Sequence, residues 1–320
     1  MTIFGRLINN YINNNELNFF MKLGFIGLGR MGFNIVLNLK NHKIPVVAYN
    51  RSPEPVKEIK RKKVEVAFSI KELMRKLPKQ KIIWIMVTAG KPVDNVIGEI
   101  LPYLKPNDIV IDGGNSFYKD SIRRYNYLKN KKINFLDIGT SGGLSGARYG
   151  ACLTIGGDKK IFKKIEKICM AISVKDGYAY MGRSGAGHFV KMVHNGIEYA
   201  WLQAAGEGFE LLFKGPYKNL DFRKVAKVWK NGSIIQSKMM SWAENAFRKD
   251  PKLGRIEGIV GGGETGQWTV QTANEFDVDA GTIKLALDER KKSEKNPRFA
   301  GKVVAALRYE FGGHELTKKK

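Results

Sequence analysis

The sequence predicts an α/β fold in which a doubly wound parallel sheet comes first and an all-helical domain follows. Three observations carry that prediction. Short apolar runs alternate with amphipathic stretches from residue 22 to about 171, the rhythm of successive strand and helix units. Gly27, Gly29 and Gly32 follow the first run at the spacing of a phosphate-binding turn and open a helix. After Gly182 the strand pattern disappears, and helical periodicity fills the rest of the chain. The divisions expected are an extension over 1–20, a sheet domain over 21–180 and a helical domain over 181–320.

The first twenty residues, MTIFGRLINNYINNNELNFF, are rich in asparagine and lead to a second methionine, Met21, just ahead of the first strand. They lack the compact apolar core and small-residue cleavage site of a signal peptide. A disordered extension is expected, or an upstream start at Met1 in place of Met21, with an Arg- and Ser-rich transit peptide as the alternative.

A strand over 22–26 then runs into GLGRMG, residues 27–32. The first glycine permits the tight turn, the second lets the backbone approach a pyrophosphate, and the third lets helix pack on strand. Gly27, Leu28, Gly29, Arg30, Met31 and Gly32 therefore form a candidate cofactor loop at a helix N-terminus, the hallmark of a Rossmann-type domain. A second strand, over 44–49, ends in Asn50, Arg51 and Ser52, where an NAD-binding chain carries Asp or Glu. Losing that carboxylate removes its repulsion of a 2′-phosphate, and the Arg51 guanidinium can pair with the phosphate and stack on adenine. NADP is expected, with NAD left open because Asn50 can hydrogen-bond a ribose hydroxyl.

Further strands are expected over 64–68, 81–87, 109–112 and 134–138, separated by helices near 53–62, 70–77, 92–104 and 118–130. Ligands of such a sheet sit beyond the carboxyl ends of its strands. Three candidates lie there: 86–89 with Val87, Asn115 in DGGNS, and Ser141, Gly142 and Gly143 in GTSGG. Turn chemistry accounts for each glycine taken singly, whereas their common edge argues for a site. ACLTIGG, residues 151–157, reads as another strand and turn, followed by a short helix to about 171. Helices are then expected over 187–213, 221–231, 234–247, 265–276, 280–290 and 298–310.

The first of those helices carries the sharpest chemical signal. Lys191, His194, Asn195, Glu198 and Tyr199 recur at helical spacing and project from one stripe. Phe189, Val190, Met192, Val193, Ile197, Ala200, Trp201 and Leu202 surround them with apolar bulk. A solvated face is the ordinary explanation for lone polar residues, but a helix this apolar is a buried one. An unpaired polar group out of water costs a few kcal/mol. Such a stripe lines a site, and a desolvated lysine serves as a general base near neutral pH.

Composition excludes other classes. The chain of 320 residues, 43% hydrophobic, can bury a large core, and its longest apolar run, 82–87, is too short to cross a bilayer. Cys152 and Cys169 have no CxxC spacing, which suits a reducing, cytoplasmic setting rather than a disulfide or zinc framework. The net charge of +25 is spread over dispersed lysines with short runs at 61–63, 290–292 and 318–320, and no nucleic-acid-binding motif accompanies it. A lysine- and asparagine-rich coding bias explains it, although a basic field also helps recruit a phosphorylated substrate.

GLGRMG, GTSGG and GHFVKMVHNGIEY together resemble the β-hydroxyacid dehydrogenase superfamily. His188, His194, Asn195, Glu198 and Tyr199 in that order resemble its 6-phosphogluconate dehydrogenase family, over about residues 21–314. The length is similar to the family's short form, without the duplicated helical region. The resemblance implies oxidative decarboxylation of 6-phosphogluconate to ribulose 5-phosphate and CO2, with hydride transfer to NADP or NAD, in the pentose phosphate pathway. It implies Lys191 as the base at the 3-hydroxyl and Glu198 as the acid that protonates carbon 1. Asn115, Ser141, Gly142, Gly143, His194 and Asn195 would hold the hydroxyls and carboxylate, and Tyr199 and Arg290 the phosphate. Arg308 and His314 in RYEFGGH match a tail that reaches the phosphate of a neighbouring subunit, which implies a homo-oligomer, dimer or tetramer.

One residue departs from the pattern: in GGGETGQWT, residues 261–269, Gly263 stands where the long form has a phosphate-contacting lysine. The chemistry agrees independently, because a β-keto acid decarboxylates without a metal if a protonated lysine polarises its carbonyl. Two other readings stand beside this one. A 3-hydroxyisobutyrate-type dehydrogenase would keep Lys191 and Asn195 but not need Arg290, Arg308 and His314. Among proteins of another class, intact Lys191 and Glu198 argue against a non-catalytic dinucleotide-binding protein and the dispersed lysines against a nucleic-acid-binding one.

Overall fold

The computed structural model describes residues 22–317, so the extension expected over 1–20 lies outside the described residues. The chain divides into two compact units between Lys191 and Met192.

In the first unit β1 (Leu23–Ile26), α1 (Arg30–Asn41), β2 (Val46–Tyr49), α2 (Pro53–Arg61), β3 (Glu65–Val66), α3 (Ile70–Lys76), β4 (Ile82–Ile85) and α4 (Lys91–Ile100) alternate strictly. The alternation continues through β5 (Ile109–Asp112), α5 (Tyr118–Lys129), β6 (Asn134–Ser141), α6 (Gly143–Tyr149), β7 (Ala151–Gly157), α7 (Lys159–Ile172) and β8 (Ser173–Gly182). The strands form one sheet in the order β3-β2-β1-β4-β5-β6-β7-β8. β1 and β4, at the centre, carry no polar side chain because both faces are covered: Phe25 and Trp84 bury into one layer of helices, Ile26, Ile83 and Ile85 into the other. The strand order reverses between β1 and β4, the switch point at which such sheets bind ligands.

Two features of the sheet were not expected. β7 pairs antiparallel with β6, so the parallel sheet ends in a reversed strand. β8 adds an eighth strand over residues to which the sequence reading assigned none. It pairs with β7 along one edge, and its SVKDGYAYMG sequence is polar and half-exposed, so it lacks the apolar run that marks an inner strand.

The second unit is helical. α8 (Ala186–Lys214) begins in the first unit and supplies most of its length to the second, followed by α9 (Phe222–Trp229), α10 (Lys238–Lys249), α11 (Glu264–Glu275), α12 (Gly281–Lys292) and α13 (Phe299–Gly312). Phe209 packs on Phe247 at 4.8 Å and Phe222 packs on Phe247 at 5.4 Å, forming the aromatic centre of a core that also holds Phe299. Each such side chain contributes about 1.5–3 kcal/mol when fully buried. α10 starts later than the pattern over 234–247 suggested, because Ser237 caps it by accepting from the Met240 N–H at 3.3 Å.

Candidate active site

The glycine loop of the first unit is shaped by what cannot fit. Gly27 has φ +108°, and a Cβ there would lie 2.2 Å from the Met86 carbonyl oxygen; a Cβ on Gly32 would lie 2.1 Å from the Gly27 oxygen. Gly29, the helix cap, faces open space, since a Cβ there meets nothing within 4 Å. The first turn of α1 carries no acidic residue and no side chain caps it. Exposed N–H groups, an open approach and a helix N-terminus are what a pyrophosphate requires, so the loop fits a dinucleotide. Asn50 locks it from β2: its Oδ1 accepts from the Leu28 N–H at 2.9 Å and its Nδ2 donates to the Ser52 oxygen at 3.1 Å. The amide expected to read a ribose hydroxyl is thus engaged in holding the loop, while Arg51 stands exposed beside it.

The other strand ends lie on the same edge, with Val87 after β4, Asn115 after β5 and Ser141, Gly142 and Gly143 at the end of β6. A buried guanidinium organises them. Arg124 on α5 is 1% exposed and donates to Asp112 (3.2 Å), Asp94 (2.8 Å) and the Gly90 oxygen (2.9 Å). Asp112 also accepts from Ser116 Oγ at 2.7 Å and the Gly114 N–H at 3.2 Å, which fixes the turn presenting Asn115. Partial burial pushes the Asp94 carboxyl up, but the hydrogen bonds and charges of Arg124 and Arg123 outweigh it and hold the group below the usual carboxylate range. The sequence reading missed this network. Its signal was present in Asp112, an acid closing an otherwise apolar strand, but the partner lay twelve residues away on a helix.

Lys191 is buried, as is Asn195, and stands on α8 where that helix crosses β6 and β7. Asp137 of β6, wholly buried, accepts from the Gly185 N–H at 2.7 Å and the His188 N–H at 2.9 Å. His188 is buried too, with Nδ1 2.7 Å from Ser121 Oγ. Asp137 was not among the expected site residues, although an acid inside FLDIGTSGG is a polar intrusion into a strand.

The second unit gathers the remaining candidates. Along α8, His194 Nδ1 lies 3.2 Å from Asn195 Oδ1 and 3.9 Å from a carboxylate oxygen of Glu198. The Arg290 guanidinium stacks on the Tyr199 ring at 3.7 Å, and Thr265 Oγ1 donates to the Tyr199 hydroxyl at 3.3 Å. Arg290 is buried, and burial pulls its pKa down to about 10, helped by the like charge of Arg308 and opposed by Tyr199 and Glu198. Arg308 is lowered for the same reason, and Tyr199 and Glu198 counter it. Arg308 donates to the Gly261 oxygen at 2.6 Å, and a Cβ on Gly262 would come within 3.0 Å of its guanidinium. The glycine-rich turn that lacks a lysine at Gly263 therefore accommodates an arginine of the same chain. Gly313, left-handed at φ +60°, ends α13, and His314 turns back with its ring 5.7 Å from Phe311.

Fold and site together define a Rossmann-type nicotinamide dehydrogenase with a helical domain. The NAD binding domain of 6-phosphogluconate dehydrogenase matches residues 22–192, and the C-terminal domain of 6-phosphogluconate dehydrogenase matches 187–310. The chain belongs to the 6-phosphogluconate dehydrogenase family. It is 45% identical over 299 residues to YqeC of Bacillus subtilis, covering 93% of this chain and 100% of that one. It is 43% identical to the NAD(+)-dependent, decarboxylating 6-phosphogluconate dehydrogenase of Haloferax volcanii, covering 93% and 99%. Among solved structures it is similar to Plasmodium falciparum 6-phosphogluconate dehydrogenase, described with its cofactor NADP+ and with its substrate 6-phosphogluconate. There the TM-score is 0.77 at 33% identity, over 85% of this chain and 62% of that one.

Proposed function

We propose that the chain converts 6-phosphogluconate to ribulose 5-phosphate and CO2 with reduction of NADP or NAD. One observation carries the choice of substrate: two arginines, Arg290 and Arg308, converge on Tyr199 in the helical unit. An unphosphorylated 3-hydroxyisobutyrate has no use for a costly buried charge on Arg290 with a second, partly buried arginine beside it. A nicotinamide bound at the glycine loop would supply the acceptor for the hydride of carbon 3. Lys191 removes the proton of the 3-hydroxyl as the hydride leaves, and then, protonated, polarises the new carbonyl. The C1–C2 bond breaks with its electron pair passing to that carbonyl, CO2 leaves, and Glu198 protonates carbon 1 of the enediol. Asn115, Ser141, Gly142, Gly143, His194 and Asn195 hold the sugar acid, and Tyr199, Arg290, Arg308 and His314 the phosphate. Absorbance at the reduced-nicotinamide band, with 6-phosphogluconate and each cofactor, is the direct test. Turnover of 3-hydroxyisobutyrate but not of 6-phosphogluconate would sink the reading.

The cofactor loop is formed by 27–32, with Val87 and Asn115 beyond neighbouring strand ends. NADP preference rests on Arg51, because Asn50 is engaged by Leu28 and Ser52. A homo-oligomer is part of the same reading: Leu211, Val228 and Ile234 leave large apolar side chains exposed on the helical unit. So is a cytoplasmic setting, which suits the free thiols of Cys152 and Cys169. The resemblance implies that Arg308 serves a neighbour's phosphate site, whereas its contact with Gly261 supports service in its own chain. Mixing inactive Lys191→Met with inactive Arg308→Ala protomers separates the two. Recovered activity means exchange between subunits; none, in a mixture that exchanges subunits, means sites complete within one chain.

A further inference from the structure

Asp137 lies in the middle of a buried strand, where a carboxylate costs several kcal/mol unless its oxygens are satisfied. Its partners all come from the start of one helix: the N–H of Gly185 at 2.7 Å, the N–H of His188 at 2.9 Å and Ser184 Oγ at 3.5 Å. The negative charge meets the positive end of the α8 dipole. On β7, Thr154 Oγ1 donates to the Gly187 oxygen at 2.8 Å, tying the same turn from the neighbouring strand. At Gly187 the helix meets the sheet backbone to backbone. A Cβ on Gly187 would lie 2.4 Å from the Asp137 carbonyl oxygen, and one on Gly139 would lie 2.3 Å from the Cβ of Lys191. Lys191 thus leaves the helix directly against β6, one turn beyond the amide that Asp137 binds.

We propose that Asp137 is a positioning residue for Lys191. Its carboxylate pins the first turn of α8 on the sheet, so that the lysine side chain starts from a fixed point. The proposal rests on the reading of Lys191 as the general base. Displacing a reacting group by 1 Å can cost about 10²-fold in rate, so loosening the turn acts on kcat.

The test compares two buried carboxylates doing similar structural work. Asp108, also buried, accepts from the N–H groups of Lys81 and Lys105, both at 2.8 Å, at the opposite end of β5 from Asn115. Asp137→Asn keeps the volume but turns an NH2 group toward a backbone donor. It is expected to lower kcat by about 10²-fold while changing the cofactor Kd and the substrate KM by no more than about threefold. Asp108→Asn is expected to lose comparable thermal stability with kcat unchanged. Equal kcat losses in the two variants, or an unchanged kcat in folded Asp137→Asn, would overturn the proposal. If Asp137→Asn does not fold, Gly139→Ala decides the matter by lifting Lys191 off the strand: kcat must fall at unchanged cofactor affinity, and an unchanged kcat refutes the role. Amide exchange at Gly185 and His188 must also quicken in Asp137→Asn, and unchanged exchange refutes it. If the wild type does not oxidise 6-phosphogluconate, the functional reading fails separately. The kcat comparison then uses whichever hydroxy acid the wild type oxidises, and the exchange measurement needs no substrate at all.

Discussion

The two units are read as holding phosphate by opposite means. The first uses backbone and empty space: Gly27, Gly29 and Gly32 bare the N–H groups at the start of α1, and every participant lies within six residues of chain. The second uses side chains and formal charge, bringing Arg290 and Arg308 to Tyr199 from 91 and 109 residues away. A backbone site carries partial charges that stay hydrated until a ligand arrives, so it costs the empty protein little. A buried guanidinium costs the empty protein its desolvation, and a bound dianion offsets that cost. Affinity and stability are therefore opposed in the helical unit and nearly independent in the sheet.

The strongest way to break this comparison is to remove Lys191, the last residue of the first unit. Lys191→Met is expected to lower kcat by about 10²- to 10⁴-fold with cofactor binding spared. Wild-type turnover in that variant would remove Lys191 from the chemistry.

Arg290→Met should raise the KM for 6-phosphogluconate by about 10- to 100-fold, the worth of a charge-assisted contact. The melting temperature of the ligand-free protein should hold or rise, and a clear drop would show that the charge stabilises the empty fold. The pH dependence has a definite sign. The folded pKa, about 10, lies below the ordinary value of 12.5, so between them the unfolded chain binds more protons. Stability from this group rises with pH across that window, and its full burial cost is present below it. For catalysis the order reverses: kcat/KM for the phosphorylated substrate should fall above about pH 10 as Arg290 loses its proton, while turnover of unphosphorylated gluconate should not show that limb.

Arg51→Ala should weaken NADP about tenfold more than NAD, the lower end for a charge-assisted contact because the arginine is exposed. Equal losses would mean that Arg51 does not read the 2′-phosphate. The smallest effect concerns stability. Gly29→Ala, with φ −65° and open space around it, should cost about 1 kcal/mol or less by thermal melting, yet weaken both cofactors by blocking the approach of the pyrophosphate. Gly27→Ala, with φ +108° and a backbone oxygen in the way, should unfold the loop outright.

The same contrast explains what could be read from sequence. The glycine loop and the inner strands were legible because each is specified by residues close together in the chain; of the stripe on α8, Lys191 and Asn195 are buried as expected, whereas His194 stands exposed. β8 was not, because a polar edge strand owes its pairing to β7 rather than to its own composition. Arg290 and Arg308 were reached through motif resemblance alone, because the stacking of one on Tyr199 and the hydrogen bond of the other to Gly261 join residues far apart in the chain. Asp137 and Arg124 were missed altogether. A buried acid or arginine has meaning only through its partners, and these lie 48 and 12 residues distant.

α8 also bears on how such a protein can be cut and recombined. The most compact division falls within this helix, between Lys191 and Met192, and the two matched family regions overlap there, over residues 187–192. Chimeras joined at that division would splice one helix from two parents and place Lys191 and Glu198 on different inheritances. A junction in the 182–185 turn keeps both on one parental segment, but it separates Asp137 from the amides it binds. Exchanging helical domains among relatives therefore requires that β6 travel with the helix or match it, which makes this strand and helix pair, rather than either domain, the natural unit of recombination.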